Sequence, residues 1–185
     1  MTTAAASSST GNASVLRYLY FVRFGFAIVW AALMFAVGSG VGPVSVTLIV
    51  LYPLFDVAAA IVDARSSGAS GSARLLYVNI AISSLAAIGL IVALTSGIPA
   101  VLRVWGVWAV VAGIVQLVVA LTRRKLGGQW AMIASGGISV LAGTSFFVQA
   151  AADGQTLGRV AGYAVLGGIF FLVSALRLGR AAKGN

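Results

Sequence analysis

Apolar residues run along this chain in six long stretches, at roughly 15–38, 44–62, 75–96, 99–121, 129–150 and 158–176. Each has about 20 residues, enough at ~1.5 Å per residue for a helix to cross a ~30 Å hydrocarbon core. Lipid cannot satisfy open backbone groups, so helices are the expected form. Glycine and proline punctuate the pattern: Gly38, Gly40, Gly42 and Pro43 mark one turn, Gly97 and Pro99 a second, and Asp153–Gly154 a third. The pattern predicts an all-α membrane protein, six transmembrane helices arranged as three tandem helical hairpins over residues 15–178. Outside it, residues 1–14 (MTTAAASSSTGNAS) are small and polar and are expected to be a disordered tail. They fit a signal peptide poorly, because the positive charge follows them and the apolar run beyond is too long. Residues 179–185 are expected to form a cytoplasmic basic tail.

Composition agrees with this class. The chain is 61% hydrophobic and 8% charged, whereas soluble domains carry about 25% charged residues. The net charge of +9 would suggest nucleic acid in a soluble protein, but its distribution argues against that partner. Arg17, Arg23, Arg65, Arg74, Arg123, Arg124, Lys125, Arg177, Arg180 and Lys183 fall on one side of the bilayer, and only Arg103 and Arg159 on the other. This bias predicts both termini in the cytoplasm. Tyr18, Tyr20, Tyr77 and Trp130 then lie near the inner interface, as belt aromatics do. The chain has no cysteine or histidine and no glutamate. Disulfides, thiolate or imidazole metal sites and the usual nucleophile–base pairs are thereby excluded, and neither a metal nor a cofactor is expected.

An internal repeat underlies the hairpins. Gly25, Ala81 and Gly136 each precede an aromatic residue (Tyr52, Trp108, Tyr163) by 27 positions, and an alanine follows each aromatic by 12 (Ala64, Ala120, Ala175). The period is 56 and then 55 residues, giving units at about 15–66, 75–123 and 127–178. Each unit crosses and returns, so the copies share one orientation and can pack around an axis along the membrane normal. Small residues at helical spacing suit close approach in lipid: Ala131, Ser135, Ser139 and Gly143 on the fifth helix, Ala109/Gly113 on the fourth, Ala164/Gly168 on the sixth.

Asp56 is the one acid well inside an expected span, where it costs ~2.5–3.5 kcal/mol on insertion scales and needs a partner. With the first turn near Val41, Arg23 falls level with Ala59, less than one turn from Asp56, and an Arg23–Asp56 pair follows. That pair is either a static clamp or a proton- or ion-responsive site. Asn79 and Gln116 sit at the corresponding depth of the second hairpin. Arg23, Asp56, Asn79 and Gln116 are thus the candidate intramembrane polar cluster, either interhelical hydrogen-bonding glue or a hydrated vestibule. Arg123–Arg124–Lys125 reads as a lipid-facing basic loop drawn to anionic headgroups, each charge worth ~1 kcal/mol near the surface. Trp105 and Trp108, three apart, read as core or as a stacking face. Ser135 and Ser139 lack a base to activate them, so no catalytic residue is expected.

The last third resembles the HdeD family, bacterial six-span membrane proteins built from short two-helix repeats. The resemblance rests on Gly127–Gly128–Gln129–Trp130 after the basic cluster, Gly136, Gly143, Gly162–Tyr163, Gly168, and Ala175 with Arg177, and it extends over about 20–178. The chain departs from the family at Ala151–Ala152–Asp153, where the family tends to carry a proline, and at Ala81, which replaces a glycine. The resemblance implies an inner-membrane protein, linked in some members to acid stress, of a family whose molecular activity is not established, and brings no family catalytic residue. On this basis the expected function is a role in envelope or acid-stress physiology through packing or partner contacts. The alternative is a small proton- or ion-responsive transporter or channel with Asp56 as the titrating group. The lipid bilayer is the expected partner, with self-association or a membrane-protein partner left open by the glycine-rich sixth helix.

Overall fold

A computed structural model describes residues 2–67 and 71–181, with side chains over 13–67 and 72–180. Six helices follow in order: α1 Thr2–Val37, α2 Pro43–Ser66, α3 Gly71–Leu94, α4 Ile98–Thr122, α5 Trp130–Ala150 and α6 Gly158–Ala181, with a single 3₁₀ turn at Arg124–Leu126. Each contains a segment long and apolar enough to cross a membrane, from 21 residues (Trp130–Ala150) to 25 (Ala13–Val37, Ile98–Thr122). The protein is a multi-pass, all-helical membrane protein. Two expected boundaries differ. The backbone is helical from Thr2, through the stretch expected as a disordered tail, although the spanning segment itself begins at Ala13. α6 likewise runs on through Ala181, into the expected basic tail, whose remaining residues 182–185 lie outside the described residues.

The turns show why the helices stop where they do. Pro43 opens α2 at a position whose N–H has no helical partner in any case. Ser45 accepts from the Gly42 N–H at 2.9 Å and fastens the turn before it. Between α4 and α5, Gly127 (φ +78°) and Gly128 (φ +66°) take consecutive left-handed conformations. A Cβ on Gly128 would also sit 3.1 Å from both Arg177 Cβ and the Leu178 nitrogen. The connections alternate between two ends of the bundle. At one end the α1–α2 and α5–α6 turns meet, with the Leu157 N–H donating to the Gly38 carbonyl at 2.9 Å. At the other, here the basic end, the α2–α3 and α4–α5 connections meet through Arg123 and Ser67.

Neighbours pack in the order α1, α2, α3, α4, α5, α6 and back to α1, which closes a ring. The most extensive contacts are α4 with α5, α1 with α6, and α2 with α3, so the tight seams lie between successive hairpins rather than within them. The small residues explain the closest seam. A Cβ on Gly113 would lie 2.7 Å from Ser139 Cβ and 2.9 Å from the Gly136 carbonyl, and one on Gly143 would lie 2.6 Å from the Gly106 carbonyl. Backbones approach this closely only where side chains are absent, and in lipid such packing is what draws helices together.

The half of the bundle away from the basic end is filled by a core of Trp30, Met34, Ile49, Leu90, Leu102, Trp105 and their neighbours. Trp30 donates to the Leu48 carbonyl at 2.7 Å, one residue from the carbonyl that Pro53 leaves without its helical donor. Leu85, Ile88, Val92, Leu141 and Val148 point outward, at 60–72% exposure, as lipid-facing residues do.

Candidate functional site

A cavity of about 100 Å³ lies on the axis of the ring, and all six helices line it. On α2 its wall runs from Tyr52 to Asp63, eleven residues or ~16 Å, which sets it toward the basic end. Arg23, Asp56, Asn79 and Gln116, the four residues of the expected polar cluster, all line it.

Asp56 is 6% exposed and is held from two neighbouring helices. Its Oδ1 takes the Arg23 guanidinium of α1. Its Oδ2 takes Asn79 Nδ2 at 2.7 Å and the Ser83 hydroxyl at 2.8 Å, both from α3. Trp108 Nε1–H of α4 donates in turn to Ser83 Oγ at 3.0 Å. The Arg23 guanidinium also stands 4.4 Å from the centroid of Phe171 on α6, a cation–π contact. One carboxylate therefore gathers donors from α1 and α3 and, through Ser83, from α4. Gln116 stands apart from this network, because its amide donates to the Met132 carbonyl on α5 at 3.2 Å.

A second ion pair corrects two expectations. Asp63, two turns after Asp56 on the same face of α2, is only 5% exposed and lies within the helix long and apolar enough to span a membrane, so Asp56 is not the sole buried acid of that helix. Its partner is Arg123, whose guanidinium reaches Asp63 Oδ2 at 2.8 Å and Ser67 Oγ at 2.5 Å. Arg123 is 7% exposed and therefore does not belong to the lipid-facing loop, which keeps Arg124 and Lys125 as its exposed charges. The cause is geometric. Arg123 caps α4 and its side chain turns back into the bundle to neutralise a carboxylate that would otherwise be buried unpaired.

The wall is completed by aromatic and amide groups that hydropathy alone did not flag. Tyr52, Trp108 and Tyr163, at the 56- and 55-residue spacing, all face the cavity. Ala112 and Gly167, which stand at the same spacing from Asp56, face it too. The Tyr163 hydroxyl donates to Ser139 Oγ at 3.0 Å. Tyr52, in the cavity wall, packs against Trp30, Trp105 and Trp108 with ring centroids 4.7–5.9 Å apart. Trp105 and Trp108 meet edge to face at 5.2 Å. They are core rather than an open stacking face. At the basic end Gln129 is 2% exposed, lines the cavity and lies beside Tyr20.

The site thus contains two positive and two negative charges, each matched within its own pair. Among the described residues no group of three or more Asp, Glu, His or Cys side chains converges to hold a metal. No family model matches the chain, and no curated protein or solved structure matches it.

Proposed function

We propose that the chain is an HdeD-like integral protein of the bacterial inner membrane with a non-enzymatic role in envelope or acid-stress physiology, exercised through packing or partner contacts. The observation that carries this reading is the state of Asp56: both carboxylate oxygens are engaged by fixed donors, three in all. A carboxylate held this way clamps helices together. The residues behind the family resemblance serve packing as well. Gly136 and Gly143 sit in the α4–α5 seam, Gly168 approaches Ala27, Ala175 is fully buried, and Arg177 stacks over Trp130 at 4.6 Å. The 56- and 55-residue repeat, with its equivalent positions around one axis, supports an origin in a triplicated hairpin. Exposed Tyr18, Tyr77 and Trp130, with Arg124 and Lys125, support a cytoplasmic basic end against anionic headgroups.

The cavity itself favours a second reading, a proton- or ion-responsive transporter with Asp56 as its titrating group. One experiment separates the two. A strain lacking the gene is complemented with wild type or with Arg23→Met/Asp56→Leu, since an apolar pair of similar volume often replaces a buried ion pair without loss of stability. In the packing reading the folded double variant restores survival after acid challenge; in the transport reading it does not. Equal survival with and without the gene removes the acid-stress role.

A further inference from the structure

The chain has twelve lysines and arginines and three acidic side chains, and none of the three acids serves the cations around the end of α6. Asp56 and Asp63 are bound inside the bundle by Arg23 and Arg123. Asp153 stands in the α5–α6 turn, at the opposite end. Arg17, Arg177 and Arg180 are exposed at the basic end, and among the described residues none of them forms an ion pair. Two of them are nonetheless held in place. The Arg17 guanidinium crosses from α1 onto Gly179 of α6, where a Cβ would lie 2.8 Å from its Cζ and Nε, and it stands 5.6 Å from the centroid of Phe21. Arg177 rises beside Gly128, where a Cβ would lie 3.1 Å from Arg177 Cβ, and its guanidinium stands 4.6 Å from the centroid of Trp130. Arg180 follows Arg177 by one helical turn. A side chain already fixed by packing loses little further freedom when it binds, and a guanidinium fork matches the oxygens of a phosphate. These cations stand near the basic ends of the spanning segments Ala13–Val37 and Gly158–Arg180. Leu166, Ile169 and Leu176, all exposed, carry the same outer face of α6 on into the apolar span. A ligand with phosphate at one end and hydrocarbon at the other fits both parts.

We propose that the end of α6 is a binding site for an anionic phospholipid, its headgroup phosphate held by Arg17, Arg177 and Arg180 and its acyl chains laid along the outer face of α6. Arginines without a counter-charge repel the ammonium of a zwitterionic headgroup, so a headgroup of net negative charge is selected. The site needs the basic end to lie at a membrane surface, and it stands whether or not the HdeD-like reading holds.

Trp130 reports on this site, because it is 50% exposed while Trp30, Trp105 and Trp108 are buried in the core. The full chain is reconstituted in bilayers of phosphatidylglycerol and phosphatidylcholine in varied ratio, with bromine on the acyl chains of one lipid or the other. Quenching of tryptophan emission then gives the relative affinity of the two lipids beside Trp130. Wild type should favour phosphatidylglycerol by about fivefold or more, the effect of a single well-placed charge near the surface. Arg17→Gln/Arg177→Gln/Arg180→Gln should bring the ratio to about one. Arg65→Gln/Arg124→Gln/Lys125→Gln, which removes as many exposed charges from the same end, should leave it within about twofold of wild type. If the first triple variant does not fold, Arg177→Gln alone should lower the preference at least twofold. A wild-type ratio near one, or an equal loss in the two triple variants, would overturn the site; the second result would leave a diffuse basic surface. Loss of the preference on adding inorganic phosphate at matched ionic strength would overturn it in favour of a free-phosphate site. Quenching by neither lipid would place Trp130 outside the bilayer and remove the headgroup-facing reading of the basic end as well.

Discussion

Replacing Asp56 by asparagine keeps the shape of the side chain and removes one oxygen and one charge. Whichever way the new amide is turned, its NH2 group meets a donor: the Arg23 guanidinium on one side, Asn79 and Ser83 on the other. At least one charge-assisted hydrogen bond is lost, worth about 1.5–3 kcal/mol. Arg23, with 16% of its side chain exposed, loses its counter-charge in either case and keeps the Phe171 ring beside it. Breaking a buried pair from one side costs about 3–5 kcal/mol. A cavity able to admit water beside the arginine places Asp56→Asn near the lower end, about 3 kcal/mol. Arg23→Gln, which leaves the carboxylate to Asn79 and Ser83, should cost a similar amount. Removing both partners leaves nothing unpaired, so the double variant should lose less than the sum by about 1–3 kcal/mol. The assay is equilibrium unfolding of the purified proteins in mixed micelles of rising denaturing-detergent fraction. A double variant whose loss equals the sum of the single losses within about 0.5 kcal/mol would refute the pairing.

Other expectations follow from the same contacts. Within the basic loop, Arg123→Gln should destabilise by about 3 kcal/mol by stranding Asp63, whereas Arg124→Gln and Lys125→Gln should stay within about 0.5 kcal/mol in the same unfolding assay. Ser83→Ala removes the link between Trp108 and Asp56 and should cost about 1–3 kcal/mol, with a shift in tryptophan emission. Gly143→Ala forces a Cβ to 2.6 Å from the Gly106 carbonyl and should cost about 1–3 kcal/mol. Gly137→Ala, which meets nothing within 4 Å, should instead stabilise by about 0.5–1 kcal/mol. Fluorescent-protein fusions to either terminus should fold and fluoresce in the cytoplasm, and alkaline phosphatase fused there should be inactive; the reverse would place the basic end outside.

Much of the fold was legible because lipid leaves few choices. An apolar stretch of the right length must be a helix, and six of them joined by short turns must alternate in direction. Arg23–Asp56 was legible for a related reason: a lone mid-span acid needs a cation at its own depth, and the turn position supplies that depth. Asp63 was hidden by the hydropathy boundary, which ended the second segment at residue 62 and put the acid in a loop. Its i, i+7 relation to Asp56 was the available signal. Ser83 was signalled similarly, four residues after Asn79 on one face of α3. Arg123 could not have been separated from Arg124 and Lys125 by composition, since only the direction in which the α4 cap turns distinguishes them. The seams between hairpins were not legible either. Small residues mark a close approach without naming the helix that makes it.

Only a ring encloses an axial cavity, and the contact that closes it joins the first helix to the last. A Cβ built on Gly168 lies 3.2 Å from Ala27 Cβ, near the ~3.5–4.5 Å separation of bridged cysteines. In the cysteine-free chain, Ala27→Cys/Gly168→Cys should therefore form an intramolecular disulfide on mild oxidation in membranes, seen by mass spectrometry as a linked α1–α6 peptide. Its failure to form in a folded double variant that still reacts with thiol reagents would mean that α1 and α6 do not meet, and the cavity would have no wall on that side.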